Sequence, residues 1–322
     1  MARTTATFTI FTPTYNRAAT LPRAYASLRA QTFRDFEWLI VDDGSTDDTR
    51  ERVQVFEAEA DFPIRYLWQE HGHKKAAFNY GVREARGALF VALDSDDELL
   101  PDTLARLHRI WLSIPYSDRE SYSAVTGLCA RPDGSIVGDR YPQDWIDGTP
   151  QEMRYRYKVG GEKFGFQRTD VLRRFPFPED IPGFVPESIV WSAIGRQGYK
   201  TRFVNEVMRV YHDSPDSLSG QGAVDAGAHA LGLYLLARDV LNNSLRWFVY
   251  QPWEFLMAAA RYTRFALHLR CGRRRPPAGF QGLQGWGARA LVAMMWPLGL
   301  VLYLRDRLRA RRAAAGRNGV SA

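Results

Sequence analysis

The chain has 322 residues, 45% of them hydrophobic, and a formal net charge of +7, enough for a real core in one large domain or one domain with an appendage. Its two cysteines, Cys129 and Cys271, are far apart, which excludes a disulfide framework and a zinc-ligand spacing and fits a reducing cytosol. From Arg261 onward there are 13 Arg and one acid, so that segment carries +12 and leaves −5 for residues 1–260; the basic tail, not the body, wants an anionic surface.

The opening residues, "MARTTATFTIFTPTYNR", hold too short an apolar run for a signal peptide and predict a first strand over 7–12. Thr20 as N-cap and Pro22 in the first turn predict a helix over 21–30. "FEWLIV" (36–41) is continuously apolar, as a strand buried on both faces must be. After the turn "GSTDDT" come a helix over 47–56, a strand over 64–68, a helix over 75–86 closed by Gly87, a strand over 88–93 and a helix over 101–114. This alternation predicts an α/β fold, a mostly parallel sheet flanked by helices, in which ligands sit at the carboxyl ends of the strands.

Farther on, a strand is expected over 124–129 and a turn at "PDG". "GGEKFGFQRTDVLRRFPFP" mixes a short strand with a short helix, and "VPESIVWSAIGRQGY" reads as a helix with Pro186 in its first turn and Gly198 past its end. "KTRFVNEVMRVYH" reads as two short strands. The character changes near residue 225, which divides an α/β domain (1–225) from an Arg-rich helical extension (226–322). In the extension, "CGRRRPPAG" is a charged break and residues 290–304 carry no charge. A helix of that length spans about 22 Å against the roughly 30 Å of a hydrocarbon core. It reads as an interfacial or re-entrant anchor, with Trp286 and Trp296 near headgroups and the arginines on anionic lipid; a tilted span and the core helix of a C-terminal cap are the alternatives.

Polar clusters close all four early strands: "TPTYNR", "DDGSTDDT", "QEHGHKK" and "DSDDE". Four such loops on one sheet edge converge on one site. The carboxylates of Asp94, Asp96 and Asp97 repel unless something neutralises them, and Mg²⁺ or Mn²⁺ with diphosphate oxygens would do so. A solvated acidic turn capping the next helix is the plainer alternative. One of Asp42 and Asp43 is placed to accept hydrogen bonds from a base or a ribose, and Lys74 or Lys75 to meet phosphate; a cation at a helix start opposes the helix dipole, and a phosphate there removes the conflict.

"FTPTYNRAATLPRAYASLRAQTFRDFEWLIVDDGSTDDT" followed by a basic loop and "NYGVREARGALFVALDSDDELLP" resembles the family 2 glycosyltransferases of the GT-A fold over roughly residues 7–110. The resemblance implies a nucleotide-sugar donor, a UDP-sugar first among them, a divalent metal (Mn²⁺ or Mg²⁺), and one displacement with inversion at the anomeric carbon. By position, Thr12, Pro13, Tyr15 and Asp43 would flank the nucleoside, with Asp42 supporting that loop and Lys74 on phosphate. Asp94 and Ser95 would face ribose or donor sugar, Asp96 would be the principal metal ligand and Asp97 would assist. His212 is a candidate third ligand from a later loop. Glu187 in "FVPESIVW" would be the base that deprotonates the acceptor, with Glu179 and Asp180 behind it; the family's second acid there is replaced by Ser188.

A membrane-directed tail points to a glycan or lipid-linked acceptor and to a cytoplasmic enzyme, peripheral at the inner face of the membrane. A nucleotidyltransferase would want a glycine-rich basic loop after the first strand, which "TPTYNR" is not. A basic-tailed nucleic-acid binder is disfavoured by the acidic body and by arginines that alternate with apolar runs, so no nucleic-acid partner is expected. No GxGxxG follows a predicted strand, which argues against a dehydrogenase.

Overall fold

The computed structural model describes residues 6–212, 227–271 and 282–318. The chain divides into two compact units, Met1–Phe177 with Val190–Ser214, and Pro178–Ile189 with Pro215–Ala322. The break between 225 and 226 and most of "CGRRRPPAG" lie outside the described residues. Pro178–Ile189, read from the sequence as part of the first domain, belongs to the second unit.

The first unit is built on a nine-stranded sheet. Its strands are β1 (Ala6–Thr14), β2 (Phe36–Asp42), β3 (Ile64–Trp68), β4 (Gly87–Ala92), β5 (Glu98–Leu99), β6 (Tyr122–Ala130), β7 (Trp145–Gly148), β8 (Lys163–Arg168) and β9 (Lys200–Val210). The order is β3-β2-β1-β4-β8-β6-β9-β5, with β7 on β9. Pairing is parallel from β3 through β4, as the strand–helix alternation predicts, then mixed: β8 runs antiparallel to β4 and β6, while β6 and β9 are parallel. "KTRFVNEVMRVYH" is one strand rather than two, because shifts in its register against β6 absorb the irregularity without ending the strand.

The helices α1 (Leu21–Arg29), α2 (Thr49–Glu59), α3 (His73–Glu84), α4 (Thr103–Leu112) and α5 (Thr169–Leu172) also belong to this unit. Leu21, Ala24, Tyr25 and Leu28 recur at helical spacing, so α1 buries one face. Tyr25 stacks on Phe56 of α2 at 4.2 Å and lies beside Trp38 of β2, which is buried along its entire length. Each buried side chain of that size contributes about 1.5–3 kcal/mol. The core therefore holds β1, β2 and β4 rigidly and delivers the loops after them to one edge.

Helix α6 (Ser188–Arg196) starts in the segment of the second unit and continues into the first. The second unit otherwise holds α7 (Ala230–Asn243), α8 (Pro252–Cys271) and α9 (Trp286–Asn318). At 33 residues, α9 is more than twice the uncharged run read from the sequence. The Ala, Leu and Arg residues on both sides of that run are strong helix formers and carry the helix through Pro297.

Candidate active site

The loop after β1 is laced to the loop after β2. Asn16 N–H donates to Ser45 Oγ (2.8 Å), Thr46 N–H donates to Asn16 Oδ1 (2.8 Å), and Ala18 N–H donates to Asp47 Oδ2 (3.1 Å). Asp47 Oδ1 also accepts from the Thr49 hydroxyl at 2.6 Å. Burial works against ionisation of Asp47, but these donors outweigh it and hold the carboxyl below its usual range.

The adjacent aspartates Asp42 and Asp43 have different jobs. Asp42 is buried and accepts from Ser45 N–H (2.7 Å) and from the Tyr66 hydroxyl (2.5 Å), so it braces the turn. Asp43 fastens the loop after β3. Its Oδ1 accepts from Gln69 Nε2 (2.6 Å) and Gly72 N–H (2.8 Å), and its Oδ2 lies 2.9 Å from His71 Nδ1. The His71 ring then packs at a tilt against Tyr15, 4.5 Å between centroids, leaving Tyr15 46% exposed at the edge. Pro13 is partly exposed beside it.

Thr12 does not join them. It is fully buried, and its hydroxyl accepts from Trp38 Nε1 at 2.9 Å. Alternation along β1 sends residues 12 and 14 to one face and 13 to the other. Thr14 Oγ1, at the end of that strand, is buried without a hydrogen-bond partner among the described residues.

The acidic turn after β4 is neutralised largely by the protein itself, which the repulsion expected from the sequence did not anticipate. Lys74 Nζ lies 2.8 Å from Asp94 Oδ1, which favours Lys74 over the buried Lys75 as the cation of this site. Burial opposes the charge on Asp94, yet Lys74, Arg209 and Arg17 together lower its pKa. Asp97 points inward. It is 2% exposed, its Oδ2 pairs with Arg209 Nη1 at 2.9 Å, and its Oδ1 accepts the His212 N–H at 3.1 Å. Burial pushes its carboxyl up to about 6 against the pull of Arg209 and the His212 N–H, with Asp94 and Asp96 adding to the rise. Both Asp97 oxygens are engaged, so the structure gives it a bracing position rather than the ligand position expected. Ser95 is likewise buried.

Asp96 is the least engaged of the three. Arg23 Nη1 donates to its carbonyl at 2.7 Å, while among the described residues its carboxylate meets only Arg17 Nη1, at 3.8 Å. Among the described residues no three His, Cys, Asp or Glu side chains form a cage for a metal ion. Mg²⁺ does not require one, because one or two carboxylates suffice when phosphate oxygens and water complete its shell. A partly exposed Asp96 carboxylate fits that role.

His212 reaches the same turn because β5 pairs with the end of β9. Its ring Nε2 lies 3.3 Å from Glu98 Oε1. Glu187 is exposed immediately before α6, in the segment assigned to the second unit, as are Glu179 and Asp180. Trp191 is partly buried and packs edge-on to Phe78 and Phe177.

Arg209, Arg17, Tyr66, Gln69 and His71 were not singled out in the sequence. Arg17, Gln69 and His71 lie inside the polar loops "TPTYNR" and "QEHGHKK", and Arg209 left the signal of a cation set among apolar neighbours in "VMRVYH". A cavity of about 500 Å³ opens elsewhere, at the amino end of β4 among Gly87, Trp111, Arg168 and Arg173. Of its arginines, Arg168 and Arg173 are spent on backbone carbonyls and on Asp170.

The model of glycosyl transferase family 2 matches residues 9–179. The GalNAc(5)-diNAcBac-PP-undecaprenol beta-1,3-glucosyltransferase of Campylobacter jejuni is 27% identical over 246 residues, which cover 74% of each chain. Several other curated relatives are matched over a third or less of their own length. Among solved structures, S. aureus TarS 1-349 superposes with a TM-score of 0.54 at 16% identity, covering 95% of this chain and 91% of its own. Mannosyltransferase PcManGT from Pyrobaculum calidifontis, in complex with GDP-Man and Mn²⁺, gives 0.56 at 21% identity, covering 98% and 87%. At such identities the structural likeness speaks for the fold, which is that of GT-A enzymes. With more than half of its length matched to the family, the chain belongs to glycosyl transferase family 2 and is a glycosyltransferase.

Proposed function

We propose that the enzyme is metal-assisted and inverting. It would move a sugar from a nucleoside diphosphate donor, a UDP-sugar first among them, to a hydroxyl of a glycan or lipid-linked acceptor, working in the cytoplasm at the inner face of the membrane. One observation carries the reading: in the turn after β4 Lys74 pairs with Asp94 and Arg209 with Asp97, which leaves the partly exposed Asp96 carboxylate with Arg17 at 3.8 Å. The donors UDP-GlcNAc, held by TarS, and GDP-Man, held with Mn²⁺ by PcManGT, support it, as does the undecaprenol-linked acceptor in the name of the Campylobacter relative.

In this reading Asp96 would hold the cation, with His212 near enough to adjust the turn. The cation, when bound, supplies neutralisation of the charge that develops on the departing diphosphate. Lys74 and Arg17 would meet phosphate oxygens, and Lys74 at the start of α3 then gains the anion its position calls for. Pro13 and Tyr15 would flank the base, and Asp43 would act through the loop it fastens. Glu187 would accept the proton of the attacking hydroxyl. Attack from the face opposite the leaving group inverts the anomeric carbon.

The test is a thermal-shift screen with UDP, GDP and dTDP, each with and without Mn²⁺, followed by product analysis. A Mn²⁺-dependent rise with one nucleotide and release of free nucleoside diphosphate are expected. No rise with any of them removes the donor site, and pyrophosphate release would identify nucleotidyl transfer instead.

A further inference from the structure

The second unit presents a surface that sugar transfer does not use. The stretch Trp286–Arg312 of α9 is long and apolar enough to cross a bilayer, yet only 17% of its most apolar window is buried, so it is not a core helix. Ala288, Gly299 and Tyr303 are its buried positions. On the opposite side Met294, Pro297, Val301, Leu304 and Leu308 are all exposed and recur at intervals of three and four residues, which makes one apolar stripe. At about 100° per residue, Arg305 falls on one flank of that stripe and Arg289 and Arg307 on the other. An apolar stripe with cationic flanks matches an anionic bilayer surface: acyl chains below, phosphate headgroups on either side.

Spanning and lying in the plane are separated by α8. Arg264 grips Asp306 through Nε (2.6 Å) and Nη2 (2.8 Å), and His268 Nε2 lies 3.0 Å from the same carboxylate. Gly299 lets the two backbones meet, since a Cβ there would sit 2.7 Å from the Ala260 carbonyl oxygen. The helices therefore move as one body. Next to that crossing α8 carries Arg261, exposed and without an ion-pair partner among the described residues. A span centred on the apolar stretch would bring Arg261 to the middle of the hydrocarbon, where an arginine is strongly disfavoured. We infer that α9 lies in the plane of an anionic membrane, its stripe from Met294 to Leu308 in the acyl boundary and Arg289, Arg305 and Arg307 among the headgroups. This placement rests on the membrane-surface reading of the transferase and gives it an orientation.

The full chain is floated with vesicles of phosphatidylcholine alone and with about 30% phosphatidylglycerol. Expected are flotation only with the anionic vesicles, release by high salt or alkaline carbonate, and at least tenfold weaker binding for Val301→Asp/Leu304→Asp. Arg305→Gln should weaken binding about fivefold, the equivalent of about 1 kcal/mol per surface cation. Unchanged helical circular dichroism and an unchanged melting transition of each variant report that the helical unit is folded. Retention after carbonate, or unchanged binding of Val301→Asp/Leu304→Asp, overturns the in-plane helix and leaves the membrane reading standing. Failure of the wild type to float with either vesicle overturns the membrane reading itself.

Discussion

Asp96 is the residue on which the proposed chemistry turns, and its environment separates function from stability. Among the described residues its carboxylate has a single long ion-pair contact, with Arg17, and it stands in one turn with the carboxylates of Asp94 and Asp97. Asp96→Ala should therefore abolish turnover at saturating donor while leaving the melting temperature unchanged or slightly higher, since repulsion is relieved. Turnover close to wild type would remove Asp96 from the reaction. Glu187→Gln should keep the nucleotide-induced shift and lose transfer; a normal rate would move the base elsewhere. Asp47 predicts a pH effect. Its folded pKa is depressed from the ordinary 3.8, so the stability it adds is complete above that value and is lost as pH falls through the lower folded one. In acid titration followed by circular dichroism, Asp47→Asn should flatten that part of the unfolding limb.

At the scale of elements, β9 organises the acidic turn. Arg209 and Asp97, 5% and 2% exposed, form an ion pair between β9 and the loop that closes β4. Removing one partner of such a pair strands a buried charge, so Arg209→Met should cost about 3–5 kcal/mol in urea denaturation. The double variant Arg209→Met/Asp97→Asn should recover part of that loss; recovery of none would mean that Arg209 stabilises through packing on Phe164 and Tyr211 instead. The sequence made the parallel half of the sheet legible, because "FEWLIV" and its neighbours alternate with helical periods. It left the mixed half unread, because β8 and β9 take their places by pairing with strands distant in the chain and local periodicity carries no pairing partner.

Across the whole molecule, the proposed donor site and the proposed membrane-facing helix lie in separate compact units, and the two activities should be separable in experiment. A nucleotide at one hundred times its dissociation constant adds about 2.7 kcal/mol to the unit that binds it. In calorimetry the transition of the sheet-bearing unit should rise, while anionic vesicles should act on the helical unit. A rise produced equally by the nucleotide in both units would mean that they unfold as one.

The sequence by itself determined the family, the order of strand, loop and helix through the first hundred residues, and the gathering of four polar loops on one edge. These follow from short-range periodicity and from motifs whose spacing lies within a few residues. Tertiary structure alone decided which of the named side chains face the edge. It sent Thr12 to Trp38 and Asp97 to Arg209, spent Asp43 on the next loop, and left Asp96 and Tyr15 presented. It also gave α9 its two faces. The reason is the same in each case: a side chain's role is set by the partner that satisfies its charge or hydrogen bonds, and that partner here often comes from another strand or helix.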